Sequence, residues 1–320
     1  MFVFLFSSIL LLPISAANLQ AVTVVKTIPV GSSPWGIAYD SKNEKMFVAN
    51  SASGTVSVIS TVSNGVVATI TVGATPQEIV YDPSNNELYV ANGGANTISV
   101  IDGATNKIIK TINVGTGPLG IAFNPHNNEI YVTNFDGSAG DTVSVINAKT
   151  NSLLATVVVG SGPWSLGYVS TNHDIYVANA YSNSISVISS ANKVVATFNV
   201  GVQPWGVRFD PSNKDIYVSN FGESTISVIS ASTNKIIKTL GASQQPYAIT
   251  VDKSNGNVYI TSAYLCTRHC AKLFVINGGT NALTTLSYGG VESYGIALNP
   301  SKNLLYVTDI YLNKVFVVSA

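Results

Sequence analysis

The chain is poor in charged residues, cysteine and histidine, and each shortage narrows what the protein can be. Lys, Arg, Asp and Glu make up 10% of its 320 residues, against about 25% in an average soluble chain. The net charge is zero, so no overall field attracts nucleic acid or an anionic membrane surface. With two cysteines and three histidines, we predict no metal site and no cofactor, because a structural metal usually needs four convergent ligands.

Long apolar runs are also lacking, apart from one at the N-terminus. Residues 2–14 are largely apolar and end in Ser15-Ala16-Ala17. The run is too short to span a bilayer and suits a secretory signal peptide with a small-residue cleavage site. No Lys or Arg precedes it, which a truncated start of the chain would explain. An uncleaved N-terminal anchor is the alternative to a signal peptide. We expect residues 1–17 to be a signal peptide or anchor and the rest to be secreted or at the cell surface, contacting membrane only through an uncleaved leader.

What the chain does have is a repeat. A four-residue motif, Phe/Tyr, then Val/Ile, then a small residue, then Asn/Ser/Asp, occurs seven times at spacings of 41 to 47 residues. Its copies are Phe47 to Asn50, Tyr89 to Asn92, Tyr131 to Asn134, Tyr176 to Asn179, Tyr217 to Asn220, Tyr259 to Ser262 and Tyr306 to Asp309. A fixed period near 42 is the signature of a repeat array.

Each repeat contains four short segments with the pattern of strands. In the second repeat these are residues 76–82 (strand A), 87–92 (B), 97–101 (C) and 107–114 (D), separated by turns rich in Gly, Pro, Asn and Asp. Units of four strands at even spacing predict an all-β, seven-bladed β-propeller of antiparallel blades over residues 18–320, as one domain.

The two ends of the chain predict how the ring closes. Residues 314–319 form a strand C with no D after it, and residues 23–30 form a strand D with no A, B or C before it. We expect the N-terminal strand to pair in the last blade and cover its open edge.

The motif Tyr131-Val132-Thr133-Asn134 and its copies resemble the YVTN family of β-propellers, found in archaeal surface proteins and YncE-like periplasmic proteins. Blades six and seven depart from the pattern, with Ser262 and Asp309 in place of Asn and Ser293 in place of Pro. The resemblance implies a seven-bladed, secreted or surface-exposed binding or structural protein, without implying one activity.

Aromatic residues mark one predicted face, which carries the D–A and B–C loops. The two long insertions, 135–141 and 263–271, are both B–C loops, and insertions on one face often mark a binding surface. The alternative is neutral drift in surface loops. The second position of strand A and the B–C loops supply candidate ligand-stacking residues: Trp35, Phe135, Trp164, Trp205, Phe221, Tyr247, Tyr264 and Tyr294. The alternative is that these rings wedge between neighbouring blades.

Two charges interrupt columns of small residues in strand A. Glu78 replaces a residue that is Gly36, Gly120 or Gly206 elsewhere, and Arg208 replaces an alanine. They belong to blades two and five, nearly opposite across the ring. We expect them to give the central channel one acidic and one basic wall that could orient a polar ligand; the alternative is a charge held by water or by a neighbouring blade.

The cysteines and histidines offer little chemistry. Cys266 and Cys270 lie in one predicted loop, which in a secreted chain favours a local disulfide over a metal site or free thiols. His126 and His173 fall in A–B turns, where we expect solvated side chains. No Ser-His-Asp or Cys-His arrangement can be assembled from the sequence, so no catalytic residue is assigned.

These observations favour a non-enzymatic, monomeric propeller that binds a small molecule, polysaccharide or surface protein on the aromatic face. One alternative is a lactonase- or lyase-like enzyme at the channel mouth. A second is single-stranded nucleic acid binding, which the position of the lysines, away from the aromatics, does not favour. A third is a surface building block without a ligand.

Overall fold

The computed structural model describes residues 22–135, 137, 141–263 and 270–319. The four strand types recur in chain order within these ranges. Strands A are β2 (Pro34–Asp40), β6 (Pro76–Asp82), β10 (Pro118–Asn124), β14 (Pro163–Val169), β18 (Pro204–Asp210), β22 (Pro246–Asp252) and β26 (Ser293–Asn299). Strands B are β3 (Lys45–Asn50), β7 (Glu87–Asn92), β11 (Glu129–Asn134), β15 (Asp174–Asn179), β19 (Asp215–Asn220), β23 (Asn257–Ser262) and β27 (Leu304–Asp309).

The outer half of each blade is equally regular. Strands C are β4 (Thr55–Ser60), β8 (Thr97–Asp102), β12 (Thr142–Asn147), β16 (Ser184–Ile188), β20 (Thr225–Ser230), β24 (Lys272–Asn277) and β28 (Lys314–Ser319). Strands D are β5 (Gly65–Thr71), β9 (Lys107–Asn113), β13 (Ser152–Val158), β17 (Val194–Asn199), β21 (Lys235–Gly241), β25 (Ala282–Ser287) and β1 (Val24–Pro29). A single-turn 3₁₀ helix spans Phe221–Glu223. In the described part of the chain, no helix has the length and apolar character needed to cross a membrane.

The strands form seven four-stranded antiparallel sheets, which confirms the predicted propeller. Six sheets follow chain order, and the seventh has the order β1-β28-β27-β26. Thr27 pairs with Phe316 and Ile28 with Val315, so the first strand completes the last blade as expected. The predicted bounds of the second blade agree with the observed ones to within one residue.

The core lies between neighbouring blades. Strands B and C are buried on both faces, because each sheet is covered by the sheet before it and the sheet after it. One cluster, for example, joins Phe47 and Val58 of blade one to Ile79, Leu88 and Ile101 of blade two. This burial explains why strands B and C read as nearly continuous apolar runs.

The tyrosine that opens the repeat motif also joins blades through its hydroxyl group. In five blades it donates a hydrogen bond to an asparagine in the C–D turn of the next blade. The pairs are Tyr89 to Asn151 (2.7 Å), Tyr131 to Asn192 (2.6 Å), Tyr176 to Asn234 (2.7 Å), Tyr217 to Asn281 (3.0 Å) and Tyr306 to Asn64 (2.5 Å). Each of these asparagines has a positive φ of 50 to 60°, a conformation that asparagine tolerates better than most residues.

The two remaining blades differ for reasons visible in the sequence. Blade one has Phe47 at the tyrosine position, and Lys45 makes the connection instead, donating from Nζ to Gly103 O (2.8 Å) and Asn106 Oδ1 (3.0 Å) of blade two. Tyr259 of blade six faces blade seven, whose strands C and D come from opposite ends of the chain, so no C–D turn connects them.

Backbone hydrogen bonds place the loops on the two faces as predicted. The B–C loop of each blade bonds to the preceding D–A loop, as in Ser51 N to Ser33 O (2.9 Å) and Gly93 N to Thr75 O (2.9 Å). On the other face the C–D turn bonds to the A–B turn, as in Gly103 N to Asn86 O (2.9 Å). We call these the B–C face and the A–B face.

Replacing Tyr131 by Phe tests the connection between blades. The loss of the hydroxyl group leaves Asn192 Oδ1 without its donor next to the fully buried ring, and we expect the free energy of unfolding to fall by about 1–2 kcal/mol. Tyr259→Phe is the matched control, because no C–D turn of the next blade accepts its hydrogen bond. Urea titrations of both variants measure the difference; equal losses would contradict the role of the tyrosine.

Candidate functional site

Eight aromatic side chains from six blades meet on the B–C face, and we call them the aromatic cluster. Its members are Trp35, Phe135, Trp164, Tyr181, Trp205, Phe221, Tyr247 and Tyr294. Trp205 lies nearly parallel to Trp164, with ring centroids 4.5 Å apart, and nearly parallel to Phe221 at 3.5 Å. Both faces of Trp205 are therefore covered by protein, and only its edge can meet a ligand.

Tyr247 lies at the centre of the cluster and is 4% exposed. Its ring contacts Trp205 edge-on at 5.1 Å and lies 4.4 Å from Tyr294. Its hydroxyl group accepts a hydrogen bond of 3.3 Å from Trp164 Nε1, which comes from a non-adjacent blade. The aromatic rings therefore meet across the axis and cover this end of the channel instead of surrounding an open mouth.

Close packing of the A strands at the axis sets the direction of these rings. A Cβ atom on Gly120 would lie 2.5 Å from Trp164 O, and one on Gly206 would lie 2.4 Å from Tyr247 O. No side chain fits at these positions, so the backbone that carries each aromatic residue can approach the neighbouring strand. This close approach explains why small residues recur at this position of strand A.

The third residue of the repeat motif, for which the pattern predicts only a small size, fixes the same carbonyl groups. Thr133 Oγ1 donates to Trp164 O at 2.9 Å, and Ser219 Oγ donates to Tyr247 O at 2.6 Å. Thr261 and Thr308 bond in the same way to Tyr294 O (3.1 Å) and Trp35 O (2.7 Å). The signal was present in the sequence as a hydroxyl residue where the other blades have alanine.

The structure brings together seven of the eight predicted stacking residues. The eighth, Tyr264, lies outside the described residues. Trp35, Trp164, Trp205 and Tyr294 are half-buried, so they pack between blades and still present surface to solvent. Gln77 occupies the same strand position in blade two, and its Oε1 is buried without a hydrogen-bond partner among the described residues. The face therefore combines flat apolar surface with an unpaired acceptor.

Glu78 and Arg208 both line the axial channel, which encloses a cavity of about 600 Å³. The exposed part of the Arg208 side chain faces the channel, and its Nε donates to Ile249 O at 3.1 Å. Glu78 Oε2 lies toward blade one, where a Cβ atom on Gly36 would come within 2.9 Å of it. The two residues thus supply an acidic and a basic group to one cavity.

Burial governs the ionisation of this pair. It raises the pKa of Glu78 to about 7, and the positive charge of Arg208 opposes part of the rise. Burial also lowers the pKa of Arg208, against the effect of Glu78. The pKa of Tyr247 lies well above its ordinary value because the phenol is buried, with Glu78 adding to the rise. The cavity therefore holds a cation, a neutral phenol and a carboxyl group that ionises near neutral pH.

The opposite end of the channel carries a histidine pair that the sequence analysis assigned to solvated turns. His126 and His173 stack with centroids 4.0 Å apart, and Tyr168 Oη lies 2.9 Å from His173 Nδ1. His126 is exposed, whereas His173 is half-buried and lines the cavity. The two turns belong to neighbouring blades, and the arrangement of these blades in the propeller brings the two imidazole groups together.

The predicted disulfide falls partly outside the described residues. Cys270 is described and Cys266 is not, so the pairing stays a prediction. Across residues 22–135, 137, 141–263 and 270–319, no group of three or more His, Cys, Asp and Glu side chains could hold a metal ion.

The raised pKa of Glu78 predicts a pH-dependent stability. The folded protein holds this proton more tightly than the unfolded chain, so the free energy of unfolding falls as the pH rises from about 4.5 to about 7. Glu78→Gln removes this dependence on pH. As the pH rises through the window, the free energy of unfolding of the variant should increase relative to that of the wild type by up to a few kcal/mol. Urea titrations at several pH values measure it.

Arg208→Met supplies the second arm of this experiment. Because Arg208 holds the pKa of Glu78 down, its removal should move the upper end of the window to higher pH. Parallel pH profiles for the wild type and Glu78→Gln would show that Glu78 is not shifted.

Comparison with known proteins supports the fold and goes no further. The chain matches no protein-family model and no curated protein. It is similar in structure to a chain of Kuenenia stuttgartiensis hydrazine synthase, with a TM-score of 0.78 and 18% identity over 90% of this chain and 96% of that one. At this identity the likeness shows a shared propeller fold and carries no information about activity.

Proposed function

We propose that the protein is a non-enzymatic, extracytoplasmic binding propeller of the YVTN type that holds a polysaccharide or surface protein on its B–C face. The observation that carries this proposal is the aromatic cluster, which gathers aromatic rings from six blades at one face. The extracytoplasmic location rests on the apolar leader, and the YVTN type rests on the repeat motif.

The chemistry of the face suits a ligand with flat apolar patches and hydroxyl groups. Half-buried Trp35 and Trp164 offer ring surface for stacking, and Tyr181 and Tyr311 are 51% and 68% exposed at the rim. The half-buried side chain of Gln77 adds a polar amide group to the same face, and a side-chain amide can form a hydrogen bond with a ligand hydroxyl group. Pyranose rings combine these features, so a glycan fits the face better than a small ion does.

The geometry does not favour the lactonase- or lyase-like alternative. Acid–base catalysis would need ionisable groups within hydrogen-bond reach of one reacting centre. In the described structure, Arg208 Nε is bonded to Ile249 O and the Tyr247 hydroxyl to Trp164 Nε1, and no hydrogen bond links Glu78, Arg208 and Tyr247 to one another. The arrangement supports holding a ligand more than transforming one.

The double substitution Trp35→Leu with Trp164→Leu tests the aromatic face. Removing two stacking rings should weaken binding to any glycan or surface protein that the wild type retains by about tenfold to a hundredfold. Immobilised polysaccharides and cell-envelope extracts provide the panel, and affinity is measured by titration.

Tyr168→Leu is the matched control, because it removes a half-buried strand-A ring at the other end of the channel. It should leave binding unchanged. If the double variant retained every ligand with wild-type affinity, the B–C face would not be the binding surface.

A further inference from the structure

The two ends of the axial channel are closed to different degrees. At the B–C end the cavity is bounded by Leu119, Trp164 and Tyr247, of which Leu119 and Tyr247 are 7% and 4% exposed. At the A–B end it is bounded by turn residues, including exposed Ser170 and Lys253. A molecule in solution therefore reaches the cavity from the A–B face, which is opposite to the aromatic cluster.

The two charges lie at different depths along this route. Glu78 is the third residue of its A strand and Arg208 is the fifth of its own. All A strands run in the same direction around the axis, so two residues correspond to an offset of about 7 Å. Arg208 is nearer the A–B opening, and Glu78 is nearer the aromatic cluster.

Part of the cavity wall is apolar. Ile121, Leu166 and Ile249 line the cavity. Arg208 keeps donor groups beyond the Nε bonded to Ile249, because a guanidinium group has five N–H donors. A volume of about 600 Å³ lies within the range of small-molecule sites.

We propose that the axial channel is a second site, distinct from the B–C face, which binds a small zwitterion carrying a carboxylate and an ammonium group. The ligand carboxylate pairs with Arg208, its ammonium group pairs with Glu78, and the carbon chain between them lies against the apolar wall. The ligand enters from the A–B face. This proposal does not depend on what the aromatic face binds.

A zwitterion fits the cavity better than a singly charged ligand. An anion bound to Arg208 would place a second negative charge in the same cavity as Glu78. A cation bound to Glu78 would place a second positive charge in the same cavity as Arg208. Like charges held close together in a partly buried site repel more strongly than they do in bulk water. An inorganic ion would also leave most of the volume unused.

The ionisation of Glu78 supports the same assignment. Without a ligand, burial holds its pKa near 7 although Arg208 shares the cavity. A bound ammonium group would stabilise the carboxylate, as an opposite charge at short range does. The empty channel is thus electrostatically incomplete, and a ligand cation beside Glu78 would supply the missing interaction.

A series of amino acids with increasing chain length tests the ligand class. Glycine, 3-aminopropanoate, 4-aminobutanoate and 6-aminohexanoate are titrated by calorimetry against the full chain, together with butanoate and butylammonium. We expect affinity to peak at one chain length. The best zwitterion should exceed both singly charged compounds by about tenfold or more, the effect of one charged hydrogen bond.

Variants of the two charges then assign the groups. Glu78→Gln should remove the preference for the zwitterion over butanoate, and Arg208→Met should remove its preference over butylammonium. The effect of the double variant should be smaller than the sum of the two single effects, because each charge helps to hold the same ligand. The Tyr181→Leu, Tyr311→Leu variant changes two exposed rings at the rim of the B–C face that do not line the cavity. It should bind the zwitterion as the wild type does, which separates this site from the B–C face.

The direction of access is tested by two bulky substitutions on opposite faces. Ser170→Trp narrows the A–B opening and should slow association at least severalfold. Ala52→Trp, at an exposed position in a B–C loop, is the matched control and should not. The proposal is overturned if no zwitterion of the series binds at its highest soluble concentration, if the singly charged compounds bind equally well, or if only Ala52→Trp slows association.

Discussion

The hydrogen bond from a strand-B tyrosine to a left-handed asparagine of the next blade connects local conformation to closure of the ring. The asparagine adopts its positive φ to turn the chain between strands C and D, and this turn presents its side-chain oxygen to the neighbouring blade. The same asparagine thus forms the C–D turn of its own blade and accepts a hydrogen bond from the preceding blade. The last copy, from Tyr306 to Asn64, joins blade seven to blade one, beside the place where β1 completes the seventh sheet. Ring closure therefore uses both a side-chain contact repeated around the disc and one long-range strand pairing.

A second constraint acts at the axis, where the A strands crowd together. The carbonyl group of the aromatic residue in one blade occupies the space of a Cβ atom in the blade before it, as at Gly206 and Tyr247 O. Where the third motif residue is Thr or Ser, its hydroxyl group bonds to that same carbonyl. Four aromatic positions are held in this way, whereas the alanines at the corresponding position in the other blades cannot make the bond. The residue that looks least informative in the motif thus positions the candidate site.

The fold could be predicted almost completely from the sequence, because period and turn residues are local properties. Even the departures have local explanations. Ser262 replaces the motif asparagine in blade six, and Ser243 stands where other blades have a glycine, such as Gly201, that packs directly on that asparagine. The residues of the site were predictable as types but not in their contacts. Whether Tyr247 reaches Trp164 across the axis, or His126 stacks on His173, depends on the radius and tilt of the blades, which no single repeat encodes.

Function in such a ring belongs to positions where the repeat is free to vary. The second strand-A position holds Trp35, Gln77, Leu119 and Tyr247 in different blades, and the fold accepts all of them. Glu78 and Arg208 depart further from the repeat, because they are charged residues at positions that hold small residues in other blades. Burial raises the pKa of Glu78, so the charged form of its carboxyl group is destabilising in the folded chain. A shared propeller fold at 18% identity does not determine which residues depart from the repeat, because function depends on the site and not on the fold. Tyr247 separates the aromatic face from the charged channel. The residues that depart from the repeat lie on both sides of it, and we expect the binding properties of this protein to depend on them.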